Sequence, residues 1–137
     1  MSHHFENTYL GELRTESIHL TSGNKIITDA PIDNNGKGQA FSPTDLVSSA
    51  LASCMMTIMG ILAQRNEIDI IGLKAEITKI MAAEPRKIAE IQVKFIFPLN
   101  KTYSQEERTK LRNAALTCPV ALSLSKDVLQ KVDFVFV

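Results

Sequence analysis

The 137 residues fit one domain, and with 45% hydrophobic and 22% charged residues the composition is that of a globular chain able to bury a core. Zero net charge argues against a nucleic-acid binder, which needs a basic stripe to neutralise phosphates, and against a polybasic membrane patch. Two cysteines, Cys54 and Cys118, make neither a secreted disulfide framework nor a zinc motif, and "MSHHFENTYL" shows no signal peptide, so a cytoplasmic, reducing location is expected.

In chain order, Phe5 to Asp29 reads as strands. "SIHLTSGNKIIT" is a hairpin turning at Ser22-Gly23-Asn24, between β-branched flanks. "APIDNNGKGQAF" is rich in Pro, Gly and Asn and reads as an irregular, flexible loop; its glycines and lysine lack the context and ending of a P-loop. "FSPTDL" then announces a helix: Ser42 caps, Pro43 takes the first position, and Asp45 suits the positive end of the dipole. It should run to about Arg65.

Two strands follow, "GLKAEITKIMA" and "RKIAEIQVKFIFPL", as an antiparallel pair turning at Ala83-Glu84-Pro85. "SQEE" from Ser104 is a capping box with Glu107 in third place, opening a helix to about Leu116. In "TCPV", Thr117 or Cys118 caps a short helix with Pro119 in its first turn, and "KVDFVFV" closes the chain as a strand. The order predicts a single α+β domain, residues 1–137, with mainly antiparallel sheets around a long buried central helix.

Leu46 to Ala63 carries no charge, the lower edge of a transmembrane length. Ser48, Ser49, Ser53 and Thr57 dilute it, and no aromatic belt or basic flank supports insertion, so no membrane is expected. A helix apolar all round must instead be surrounded by protein. One small sheet covers one side; a second subunit is expected to cover the other, making a homodimer.

Cys118 at a helix start faces unpaired N–H groups that favour a thiolate and lower its pKa; the competing reading is a small residue at a tight helix junction. Cys54 is flanked at helical spacing by Val47, Ala50, Leu51, Ile58 and Ile61, which favours a buried, inert thiol unless a cation such as Arg14 is brought to it. Met55, Met56 and Met59 read as core filling, and neither a metal site nor a cofactor motif is evident.

"FSPTDLVSSALASCMMT" followed by "LTCPVALSLS" resembles the OsmC/Ohr family (osmotically inducible protein C and organic hydroperoxide resistance protein), general OsmC-like subgroup. The resemblance implies an intertwined homodimer with thiol peroxidase activity in oxidative-stress defence. Cys54 would be the peroxidatic cysteine, Cys118 the resolving one, and Arg14 the arginine that holds the thiolate and polarises the leaving oxygen. The substrate would be an organic or lipid hydroperoxide, and the reductant an external dithiol such as a lipoyl-bearing protein. Where well-characterised branches carry a glutamate after the helix-starting proline, this chain has Thr44, leaving Asp45 as the candidate auxiliary acid. That departure motivates an alternative, a non-catalytic OsmC-like stress protein binding a small hydrophobic ligand at the dimer interface.

Overall fold

The computed structural model describes residues His3–Val137. Three strands come first, β1 (Phe5–Gly11), β2 (Arg14–His19) and β3 (Lys25–Asp29), then a 3-10 turn at Ile32–Asn34. The long helix α1 (Pro43–Arg65) leads to β4 (Lys74–Ala83) and β5 (Arg86–Ile96). Helices α2 (Gln105–Ala115) and α3 (Pro119–Ser123) precede β6 (Leu129–Val135). Chain contacts group these elements into two compact units, one ending at Val47 and one spanning Ser48–Val137. The architecture is the expected α+β one.

In the first unit, β1-β2-β3 form an antiparallel sheet. The β2–β3 hairpin turns at Leu20–Ser22, a little before the expected Ser22-Gly23-Asn24, with Gly23 at φ +77°, a left-handed conformation that glycine adopts without cost. A second turn was not anticipated: Glu12 and Leu13 take φ of +53° and +62° between β1 and β2. It cuts the early strand region, so Arg14 opens the second strand rather than lying in the first. The Asn34–Gly38 loop is closed by hydrogen bonds instead of hanging open. Gly36 N donates to Pro31 O at 2.9 Å and Gly38 N to Ala30 O at 3.1 Å. A Cβ on Gly36 would meet Ala30 O at 1.8 Å, which is why a glycine stands there.

The start of α1 is a capping box. Asp45 N donates to Ser42 Oγ at 3.1 Å, and Ser42 N donates back to Asp45 Oδ2 at 3.0 Å. No charged residue follows in α1 until Arg65.

In the second unit, β4 and β5 pair antiparallel, with a register shift between Ile80 and Met81. β6 joins β5 in parallel, Phe95 beside Phe134. A parallel neighbour needs a long crossover, and α2 and α3 lie in it. On β5, Ile91, Val93 and Phe95 are buried while Lys94 is exposed, the period of two that a one-sided sheet requires. From α1, Leu51, Ala52, Met55 and Met59 enter the same core, with Tyr103, Leu111, Ala115 and Cys118. Each fully buried large side chain contributes roughly 1.5–3 kcal/mol. Phe97 and Phe136 stack at 4.2 Å, and Arg108 and Arg112 of α2 lie over the Phe136 ring at 5.1 and 5.2 Å.

α1 has the length and composition of a membrane-crossing helix. Its Leu51, Met55 and Met59 are nonetheless fully buried core residues of this unit. The other face is exposed and uncharged: Val47, Ala50, Ser53, Thr57 and Ile61, with Ile61 at 42% exposure.

Two substitutions test this packing by urea unfolding. Phe95→Ala should cost about 3–5 kcal/mol, because a large buried ring leaves a cavity. Ser104→Ala should cost about 1 kcal/mol, because Ser104 caps α2 by accepting from Glu107 N at 3.1 Å. Equal effects from the two would contradict the assignment of Phe95 to the core.

Candidate functional site

Two clusters hold the candidate residues, one in each unit. In the second unit the two cysteines come together, although 64 positions separate them in sequence. Cys54 projects from α1 and is half-buried; Cys118 is fully buried. Both are free thiols in the same side-chain cluster, and Cys54 lies close enough to Cys118 to shift its titration. Cys118 is the N-cap of α3, with Pro119 as the first helical residue. Its Sγ accepts the Ala121 N–H at 3.3 Å, taking the place that a serine hydroxyl fills in an ordinary cap.

Burial pushes the Cys118 thiol up from its ordinary value, and contact with Cys54 pushes in the same direction. The N–H groups of Ala121 and Val120 pull the other way and lose. This corrects the expectation that a helix start lowers the pKa of Cys118. α3 is only five residues long, and in this apolar cluster the desolvation of a thiolate outweighs two amide donors. Cys118 thus keeps its proton at neutral pH, where its S–H can serve the neighbouring sulfur.

In the first unit, Arg14 and Asp29 stand directly opposite on β2 and β3. The guanidinium grips the carboxylate with two bonds, Nε to Oδ1 at 2.7 Å and Nη2 to Oδ2 at 2.8 Å. Nη2 also donates to Gln39 Oε1 at 3.0 Å, and the Gln39 backbone N–H donates to Asp29 Oδ2 at 3.2 Å. Asp29 is fully buried, whereas the Arg14 side chain keeps 27% exposure. Hydrogen bonding to Arg14 holds the Asp29 carboxyl below its usual range despite burial, and the same bond raises the pKa of Arg14. Beside them, Lys37 pairs with Glu12 at 2.5 Å.

Asp45, the candidate auxiliary acid, spends a carboxylate oxygen on the Ser42 amide in the α1 capping box. The acid in contact with Arg14 is Asp29, which the motif reading overlooked along with Gln39. The observed register pairs positions whose numbers sum to 43, so Arg14 meets Asp29, whereas a turn centred on the expected Gly23 would have set a sum of 46.

Residues 36–132 match the profile of the OsmC-like protein family. Among solved structures, a Psychrobacter arcticus 273-4 protein, named for osmotic stress induction and a detoxification response, is 51% identical. That match covers 98% of this chain and 97% of the other, with a TM-score of 0.93. An organic hydroperoxide resistance protein OsmC from Legionella pneumophila matches at 17% identity, 98% coverage of both chains and a TM-score of 0.70. The organic hydroperoxide resistance protein OhrB of Bacillus subtilis matches at 16% identity, covering 96% of this chain and 97% of that one, with a TM-score of 0.64. These last two share the fold. No curated protein sequence matches the chain.

Two pH dependences follow from the shifted groups. Stability linked to Asp29, whose pKa is lowered, should be intact above about pH 3.9 and be lost as pH falls below it. Stability linked to Cys118, whose pKa is raised, should be intact below about pH 8.5 and be lost as pH rises from there. Urea unfolding against pH checks both: Asp29→Asn should flatten the acid limb and Cys118→Ser the alkaline limb. Limbs unchanged in these variants would refute the assignments.

Proposed function

The chain belongs to the OsmC-like protein family, and on that premise we propose that it is a thiol-dependent peroxidase reducing organic or lipid hydroperoxides in oxidative-stress defence. The observation that carries this reading is the neighbouring pair of free thiols, one half-buried on α1 and one buried at the cap of α3. A lone core cysteine needs no such partner. Two neighbouring thiols can be joined as a disulfide.

In the proposed cycle the Cys54 thiolate attacks the distal oxygen of the hydroperoxide. The O–O bond breaks, the alkoxide takes a proton and leaves as an alcohol, and Cys54 becomes a sulfenic acid. The Cys118 sulfur then attacks the Cys54 sulfur. A disulfide forms, and the sulfenic oxygen leaves as water with the Cys118 proton. An external dithiol reduces the disulfide and is itself oxidised; a lipoyl-bearing protein has the right chemistry. Arg14 is assigned to hold the thiolate and polarise the leaving oxygen. The apolar residues around Cys54 suit a bulky, greasy peroxide better than hydrogen peroxide.

The working form is proposed to be a homodimer in the cytoplasm. The uncharged outer face of α1, exposed in the chain alone, supports a second copy as its cover.

The test is turnover of cumene hydroperoxide with dithiothreitol or a dihydrolipoyl donor. Wild type should turn over, and Cys54→Ser should lose all activity. Cys118→Ser should stop after one turnover and accumulate a sulfenic acid on Cys54 that dimedone traps. Absence of peroxide consumption by fully reduced wild type would refute the peroxidase and leave the ligand-binding alternative.

A further inference from the structure

The fold closes "NNGKG" into a turn and leaves a reactive pair inside it. Asn35-Gly36 is the single Asn-Gly pair in the chain. Tertiary structure demands both residues. Asn35 ends the 3-10 turn at φ +65°, in the left-handed region that asparagine tolerates better than most side chains. At Gly36 a Cβ would lie 1.8 Å from Ala30 O, so no side chain fits. These two residues can also react with each other. A glycine nitrogen, unshielded by a side chain, can attack the side-chain amide of a preceding asparagine and close a five-membered ring. Asn35 is exposed, so water can complete the reaction.

The closed turn opposes that reaction in two ways. Asn35 ψ is 14°, which sets the Gly36 nitrogen over the Asn35 nitrogen and away from the Cβ that carries the amide. The Gly36 N–H, whose proton must be given up before the nitrogen attacks, is donated to Pro31 O at 2.9 Å. Turning the Gly36 peptide toward the Asn35 side chain breaks that bond and unseats Gly36 from Ala30. Both flanks resist the turn as well: Asn35 N donates to Ile32 O at 3.2 Å and Gly38 N to Ala30 O at 3.1 Å.

We propose that Asn35-Gly36 is a self-modification site whose rate is set by opening of this turn. In the open turn the deprotonated Gly36 nitrogen attacks Asn35 Cγ, the Cγ–Nδ2 bond breaks, and the amide leaves as ammonia with the proton. The product is a succinimide, and water opens it at either carbonyl to leave aspartate or isoaspartate at position 35. The reaction needs no cofactor and no co-reactant beyond water. Isoaspartate carries the chain through its side chain, which lengthens the backbone inside the turn, so the bonds to Pro31 and Ile32 cannot re-form in register. Gln39 follows on the same loop and bonds both Arg14 and Asp29. Modification therefore loosens the first unit irreversibly at the loop that steadies this pair.

The experiment incubates the full chain in mildly alkaline buffer, folded and in guanidinium chloride. Residue 35 is read by peptide mass spectrometry, with fragmentation that separates aspartate from isoaspartate, and Gly36 N–H exchange is read on the same samples. In the unfolded chain Asn35 should convert ahead of the other asparagines. In the folded chain it should convert on the order of tenfold or more slowly, the factor being the fraction of time the turn is open. Folded Gly38→Ala should convert faster than wild type, because a Cβ there meets Ile32 Cγ1 at 2.7 Å. Asn35→Gly, which keeps the left-handed turn, should show no conversion. Aged beside wild type, it should keep its urea midpoint while the wild-type midpoint falls as isoaspartate accumulates. If Gly38→Ala fails to fold, wild type in sub-denaturing guanidinium carries the test: conversion should rise in step with Gly36 N–H exchange. Equal conversion in folded and unfolded chains overturns the proposal, as do no conversion in the unfolded chain and conversion that stays flat while exchange rises. Isoaspartate without a fall in the midpoint overturns the irreversible loosening.

Discussion

A helix with no charge from Leu46 to Gln64 can stay in water only under cover, and that constraint organises the second unit. The face carrying Leu51, Met55 and Met59 is covered by the alternate residues of β5 and by α2, burying all three completely. β5 in turn has to be one-sided, with Ile91, Val93 and Phe95 inward. The late crossover through α2 and α3 sets Cys118 in the same cluster as α1. The proximity of the thiols is thus a by-product of how the helix is buried. The helix supplies one sulfur and the cover supplies the other.

The two units treat buried ionisable groups in opposite ways, and the reason lies in their partners. Asp29 is as inaccessible as Cys118, yet its pKa goes down while that of Cys118 goes up. A full positive charge held by a bidentate fork overcomes desolvation. Two amide dipoles and a neutral thiol neighbour do not. The result is one permanently charged, rigid pair and one protonated thiol.

Thr44 and Asp45 follow the helix-starting Pro43, and neither supplies the carboxylate bonded to Arg14. Asp45 is engaged by the Ser42 amide in a capping box that starts α1. The carboxylate on Arg14 comes from β3 instead, across a hairpin register that leaves no choice of partner.

Much of this was legible in the amino-acid order alone. Capping residues, prolines and two-residue alternation are local signals, and they located α1 from Pro43 to Arg65, the Ser104 capping box, the start of α3 at Pro119, and the β2–β3 and β4–β5 hairpins. Three things needed the tertiary structure. The sign of the Cys118 shift depends on how much apolar matter surrounds a thiol, which no local pattern records. The parallel pairing of β6 depends on where a crossover returns. The meeting of Cys54 and Cys118 depends on both, because burial of one face of the helix, and no property of either cysteine's neighbours in sequence, brings two distant thiols close together.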